Sequence, residues 1–423
     1  MVFQSLTFRF IHTADLHLDS PLVTLALRNA DLADQVGVAS RSALTKIVDL
    51  CLAEAVDALL IAGDLWDGGL SSAKTPRFLK QELLRLDEAG IRCFIIRGNH
   101  DAISKVTREL DPPAGTRVFG PKAKTETFEA GGHLIAVHGV SFAEPVAPGS
   151  LLPLYPVAVA GAFNIGMMHS SLNGSAGHDV YAPCSVTDLD AHGYDYWALG
   201  HIHRRSEHRG RATVVMPGIP QGRDIGEAGA CSVTLVTVDD AGAVVIEQRS
   251  VAALRFDRLR VDLTDMSDWA EVIAALDTAL RDIAHLPRPE AYLVLRPMLM
   301  GVTPLAWRIA RDLDRLTEEV HAIAASVGGI WIDKLENGTT AQGAGITSPL
   351  PTDLVGIVMA DLPNDPALLA ALAEAARLLM HDLPPELRDL LGDDAATVAA
   401  ARCLLLAEGS VQIVARLGAG EVI

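Results

Sequence analysis

The chain has 423 residues, 49% hydrophobic and 21% charged, with a formal net charge of −18. That length can bury a large core and suggests two or three domains. No run approaches the roughly 20 apolar residues of a membrane-spanning helix, and Met1–Phe10 lacks the pattern of a signal peptide. The expectation is a cytoplasmic protein with no membrane partner.

The predicted elements of the first 255 residues are short apolar runs that end abruptly in polar loops. Strands are predicted at Phe8–Ala14, Ala58–Ala62, Arg92–Ile96, Asn164–Met168 and Tyr196–Leu199. Between the first two, Ser42–Ala55 places Leu44, Ile47, Val48 and Cys51 at helical spacing. Near-continuous apolar strands fit a sheet covered on both faces. Leu134–Val140, Thr213–Met216, Cys231–Val238 and Ala243–Glu247 read as a second group of strands, so a layered α/β sandwich is expected.

A second unit follows from Phe256 to Thr347, in the order strand (Arg258–Leu263), helix (Ser267–Ile283), strand (Ala291–Met298), helix (Pro304–Ala325), strand (Ile330–Leu335). Ile309, Leu313, Leu316, Val320 and Ile323 share one apolar helix face. Ser348–Pro351 reads as a linker, Asp365–Pro366 as a helix start, and Ala395–Glu408 as a last helix.

The charge is uneven. From Phe256 onward there are 13 basic and 25 acidic residues, against 22 and 28 before it. The acidity therefore lies mainly in the C-terminal part and does not exclude a nucleic-acid substrate for the first domain. The five cysteines are scattered without a C-x-x-C pair, which argues against a disulfide framework or a thiolate zinc site.

Five polar blocks stand at predicted strand ends: Asp15-Leu16-His17, Gly63-Asp64-Leu65-Trp66-Asp67, Gly98-Asn99-His100-Asp101, His169, and Gly200-His201-Ile202-His203. Residues two apart in an extended segment point the same way, so Asp15 and His17 are expected to reach one ion. Ligands of open α/β sheets collect at the carboxyl ends of strands, where all five blocks lie. Carboxylate, imidazole and amide oxygen suit Mn²⁺, Fe²⁺ or Zn²⁺. Taken singly, each block could be an ordinary turn, a surface pair or a buried histidine. Five in order, all at strand ends, are hard to obtain by accident. Two ions about 3.5–4 Å apart can activate a water and clamp an in-line displacement at phosphorus. His100, beside a ligand, is placed to protonate the leaving oxygen.

With these residues in view, the chain resembles the calcineurin-like metallophosphoesterase superfamily, whose D-x-H, G-D, G-N-H-D, H and G-H-x-H series it carries in order. Within that superfamily it is similar to the SbcD/YhaO branch of DNA repair exonucleases, through His12–Pro21, His169–Leu172, Tyr194–His203 and Met216–Arg223. The resemblance implies a four-layer α-β-β-α sandwich over 1–255, a small capping-like α/β domain over 256–347 and a helical segment over 352–423. It implies one ion on Asp15, His17 and His203, a second on Asn99, His169 and His201, Asp64 bridging, and His100 as the catalytic group. Mn²⁺ is the expected metal, with Mg²⁺, Fe²⁺ or Zn²⁺ as alternatives. DNA is the expected substrate and an SbcC-like coiled-coil ATPase the expected partner, docked through the C-terminal helices. A homodimer is common among such relatives. The competing reading is a phosphoesterase for a nucleotide or small phosphorylated molecule. Arg204, Arg205, Arg209, Arg211 and Arg223 form a candidate phosphate-binding group, Trp66 reads as packing, and His12 and the other histidines read as structural.

Overall fold

The computed structural model describes residues 7–20, 37–66, 74–103, 111–172, 181–341, 365–382, 397–401, 403–406 and 409. Asp67, His178 and the Ser348–Pro351 stretch lie outside the described residues.

Two six-stranded sheets form the first unit. The first has the order β12-β11-β1-β2-β3-β4. Its central strands β1 (Phe8–Thr13), β2 (Ala58–Ala62) and β3 (Arg92–Ile96) run parallel with β4 (Thr116–Val118). The antiparallel pair β11 (Val233–Val238) and β12 (Val244–Arg249) is added at one side. The second sheet has the order β5-β6-β7-β8-β10-β9. It comprises β5 (Lys124–Ala130), β6 (His133–Gly139), β7 (Ala162–His169), β8 (Tyr196–Gly200), β9 (Ser206–Arg209) and β10 (Thr213–Met216).

Side-chain alternation along a strand accounts for the layers. Ala58, Leu60 and Ala62 of β2 face the space between the sheets, where they join Phe8, Phe10, Ile96, Ile135, Val137, Ile165 and Ala198. Leu59 and Ile61 face the other way. They pack with Leu44, Ile47 and Val48 of α1 (Ala39–Ala53) and with Leu79, Leu83 and Leu86 of α2 (Lys74–Glu88). The outer face of the second sheet is covered through Trp197, Leu199 and Val214, packed with Leu189 of a short helix at Val186–His192. The result is an α-β-β-α sandwich. Each fully buried Leu, Ile or Phe in these layers contributes about 1.5–3 kcal/mol relative to exposure.

The chain divides into two compact units, the second beginning at Asp257, with Arg288–Leu293 returning to the first. The second unit carries most of β13 (Leu254–Asp262) and β14 (Tyr292–Met300), whose first residues belong to the first unit, together with α5 (Trp269–His285), α6 (Ala306–Arg311), α7 (Leu313–Val327), β15 (Ile330–Ile332) and β16 (Glu336–Asn337), where α3 is Asn99–Ile103 and α4 is Val186–His192. A capping box starts α5, in which Asp268 accepts from Ala270 N and Glu271 accepts from Asp268 N. The single helix expected over Pro304–Ala325 is broken at Asp312, whose backbone is non-helical. The interruption is confined to that residue: Asp312 N still donates to Arg308 O at 2.9 Å and Leu316 N to Asp312 O at 3.0 Å, while the Asp312 carboxylate is held by the neighbouring Arg311 guanidinium. The apolar face nonetheless persists across the break, with Ile309, Leu316 and Val320 buried. Helix α8 (Pro366–Asp382) begins where Asp365 Oδ1 accepts from Ala367 N and Leu368 N.

A polar tie crosses the sandwich interior. His12 of β1 donates from Nε2 to the Leu199 carbonyl and accepts at Nδ1 from the Tyr196 hydroxyl, both at 3.0 Å. Burial lowers its pKa from 6.5 to about 3, so the folded ring stays neutral. Below about pH 6.5 the unfolded chain binds a proton that the folded chain refuses, and stability falls as pH drops toward 3. Urea unfolding in EDTA between pH 6 and 4.5 should give a steeper loss for wild type than for His12→Gln, by about 1.4 kcal/mol per pH unit. Parallel slopes would contradict this assignment.

Candidate metal centre

The seam between the two sheets ends in a pit built from both. Beyond β1 the chain continues to pair with the segment beyond β2: Asp15 N donates to Gly63 O, His17 N to Asp64 O and Leu18 N to Leu65 O. Within this pairing Asp15, His17 and Asp64 have φ values of 53°, 41° and 52°. This corrects the extended Asp-Leu-His segment expected from the sequence. Both side chains still reach the same pit, but through left-handed backbone that costs on the order of 1–3 kcal/mol at each residue.

Contacts across the seam bring the remaining blocks in. His169, ending β7 in the second sheet, places Nδ1 2.9 Å from the Ala62 carbonyl that ends β2 in the first. His169 Nε2 lies 3.3 Å from Asp64 Oδ2 and 3.1 Å from Asn99 Oδ1. The Asp15 carboxylate accepts from His201 N at 3.0 and 3.1 Å. His17 Nε2 lies 3.2 Å from His203 Nε2 and 3.9 Å from Asp64 Oδ2. The His201 ring packs edge-on against His169 at 5.2 Å. Two sets of ligand atoms result, each within 4.8 Å: Asp15, His17 and His203, and Asp15, Asp64 and His169.

Glycines make this closeness feasible. A Cβ on Gly98 would stand 2.1 Å from Asp64 Oδ1 and 2.7 Å from His169 Nε2. One on Gly63, where φ is +97°, would stand 2.4 Å from His169 Nδ1. Burial grades outward: Asp15, His17, Asp64 and His169 form a buried floor, His203 is partly exposed and His100 is exposed at the rim. His100 donates its backbone N–H to Asp64 Oδ1 at 3.1 Å, and its ring meets the His17 ring edge-on at 5.0 Å.

Residues 8–205 match the calcineurin-like phosphoesterase family, and residues 256–340 match the middle domain of metallophosphoesterase YhaO. The chain is 30% identical over 340 residues to an uncharacterized metallophosphoesterase, YhaO, from Bacillus subtilis, covering 78% of this chain and 81% of that one. It belongs to the calcineurin-like metallophosphoesterases, in the SbcD/YhaO-type branch. It is also 27% identical to the DNA double-strand break repair protein Mre11 of Sulfurisphaera tokodaii, over 47% of this chain and 49% of that one. With the SbcD component of the SbcCD nuclease of Rhodobacter capsulatus it shares 35% identity over 26% of each chain.

The donor chemistry of this metallophosphoesterase fits a cation in the pit. A carbonyl only accepts, so His169 Nδ1 carries a hydrogen, and in the neutral ring Nε2 presents a lone pair to the Asp64 and Asn99 oxygens. Three acceptors facing one another require a proton or a cation between them. Without a cation, burial alone would lower the His169 pKa. The Asp64 charge and hydrogen bond, helped by Asp15 and the Ala62 carbonyl, overcome that and raise it to about 9. Asp64 meets the same conflict. Burial opposes its ionisation, but His169, His17 and His100 hold it below the usual carboxylate range.

Two supporting residues were given no role by the sequence pattern. Asp101 is buried and accepts from Leu65 N, Trp66 N and Gly98 N, tying the second and third blocks together. Burial and the Asp64 charge raise its pKa to about 7 against those three donors. Its position inside Gly98-Asn99-His100-Asp101 was the available signal. Glu227 contacts His203, and no motif spacing marks it. The arginine group expected beside the site is divided. Arg223 is held by Glu227, and Arg205 bonds Glu207 and Thr234, while Arg204, Arg209 and Arg211 are exposed. Trp66 is fully buried, in agreement with a packing role.

Because the metal-free His169 ring holds a proton up to about pH 9, cation binding must displace it. Mn²⁺ affinity should therefore rise between pH 6.5 and 8.5, and calorimetry in buffers of different ionisation enthalpy should register proton release. A pH-independent affinity would contradict this.

Proposed function

We propose that this metallophosphoesterase is a two-metal-dependent phosphodiesterase that cleaves DNA, as an exonuclease or endonuclease in repair, beside an SbcC-like coiled-coil ATPase. The observation that carries the reading is the meeting of Asp15, His17, Asp64, His169 and His203 in two groups of ligand atoms, with Asn99 Oδ1 3.1 Å from His169, the His201 ring packed against His169 and His100 exposed at the rim. Asp15, His17 and His203 would hold one ion, and Asn99, His169 and His201 the other, with Asp64 shared. The oxygen and nitrogen set suits Mn²⁺, Fe²⁺ or Zn²⁺, and Mn²⁺ is the ion proposed on the resemblance to the SbcD/YhaO branch. When bound, such a pair of ions supplies water that ionises near neutrality and charge compensation at the phosphoryl oxygens.

The chain's own groups do the rest. The backbone bond to Asp64 and the edge-on His17 ring aim the exposed His100 imidazole over the pit. There it contacts the phosphate and passes a proton to the leaving oxygen, a step worth roughly 10²–10⁴ in rate. The buried floor of Asp15, Asp64 and His169 orients the ligands and excludes bulk water. Similarity to proteins named for double-strand break repair and for the SbcCD nuclease supports DNA as substrate. Arg204, Arg209 and Arg211, exposed beyond the last block, suit bidentate contact with a phosphate backbone.

End-labelled single- and double-stranded DNA and bis-p-nitrophenyl phosphate are the substrates to assay, with Mn²⁺, Mg²⁺ or EDTA. Mn²⁺-dependent DNA cleavage is expected, reduced at least 100-fold by His100→Ala and abolished by Asp64→Ala. Hydrolysis of the small diester with no cleavage of DNA, even with the ATPase added, would favour a small-molecule phosphoesterase.

The proposed docking of the ATPase through the C-terminal helices is supported by exposed Leu369, Leu378, Leu404 and Leu405 on helical segments. Deleting 352–423 should abolish co-purification with the ATPase and spare hydrolysis of the small diester. Retained complex formation would overturn that docking.

A further inference from the structure

Glu227 lies outside all five blocks yet holds a member of one of them. Its Oε1 is 2.7 Å from His203 Nδ1. An ionised carboxylate only accepts, so His203 Nδ1 carries a hydrogen and its lone pair is on Nε2 in the neutral ring. Arg223 NH2 also lies 3.4 Å from Nδ1, but the shorter carboxylate contact decides the assignment. Nε2 is the nitrogen that faces His17 Nε2 at 3.2 Å, within the group of Asp15, His17 and His203.

Glu227 is itself held in place. Arg223 donates its backbone N–H to Oε2 at 2.7 Å and its NH2 to Oε1 at 2.7 Å. The short turn Ile225–Glu227 that carries it is capped by Asp224, whose side chain accepts from Gly226 N at 2.6 Å. The Glu227 side chain is 11% exposed and that of Arg223 25%, so the pair is not an ordinary surface bridge. An ion pair that merely closed this loop would have no need to meet the imidazole at 2.7 Å on the nitrogen opposite the pit.

We propose that Glu227, braced by Arg223, is a positioning residue that fixes the His203 ring so that Nε2 is presented to a divalent cation held with Asp15 and His17. This rests on the metal centre proposed above and deepens it by assigning one of its two positions a supporting carboxylate. Carboxylates that accept from the far nitrogen of a ligating histidine fix its tautomer and orientation, and their loss typically weakens metal binding 10–100-fold.

The test is calorimetric titration of the full, metal-stripped chain with Mn²⁺, with thermal melts in EDTA as the folding control. Wild type should take up two ions. Glu227→Ala should weaken one of them roughly 10–100-fold and leave the other unchanged. Glu227→Asp keeps the charge opposite Arg223 but withdraws the carboxylate by one methylene, and it should weaken the same single ion. Wild-type binding of both ions by either folded variant, or equal weakening of both ions, overturns the role of Glu227. A wild-type chain that binds no Mn²⁺ instead overturns the metal centre, and the positioning role with it. Should the Ala variant not fold, the Asp variant decides alone.

Discussion

The catalytic end of this protein depends on one buried carboxylate. Asp64 is 2% exposed, and an isolated charge at that depth would cost several kcal/mol or more. The structure answers with His169 Nε2 at 3.3 Å, His17 Nε2 at 3.9 Å and the His100 backbone N–H at 3.1 Å. Those contacts need three strand ends to close on one point. Gly63 and Gly98 make room for it, since a methyl group at either would collide with His169.

The same groups lock the two sheets together. His169 belongs to the second sheet and bonds Ala62 of the first, while His201 beyond the second sheet bonds Asp15 beyond the first. His12 adds a third crossing deeper in the sandwich through Tyr196 and Leu199. Apolar alternation assembles the layers, but it is non-directional and would tolerate small slides of one sheet over the other. The directional bonds along the seam set the register that a metal site needs. Site geometry and sheet packing are therefore one problem, and left-handed backbone at Asp15, His17 and Asp64 is tolerated as part of its solution.

The clarity of the sequence signal varied with burial and periodicity. Strands covered on both faces, such as β2 and β3, could be read to the residue, because few other elements produce unbroken apolar runs bounded by polar blocks. Edge strand β5, Lys-Thr-Glu-Thr-Phe-Glu-Ala, buries only Phe128 and left no such pattern. Helix α2 does carry Leu79, Leu83 and Leu86 at helical spacing, a signal present in the chain but absent from the elements predicted for it. Asp312 interrupts a helix whose apolar face runs on unbroken, since periodicity reports side-chain direction and is blind to a change of backbone angles at one residue.

By itself, the sequence determined the sandwich, the chemical types of the site residues and the strand ends from which they come. Short-range pattern carries that information: alternation marks layers, and Asp, Asn and His after an apolar run mark the mouth of a sheet. Only the tertiary structure decided the left-handed turns at Asp15 and His17, the clamp of Asp101 on two blocks, and the contact of Glu227 with His203 across 24 residues. Such contacts are made through space by groups whose own neighbours in the chain say nothing of the partner.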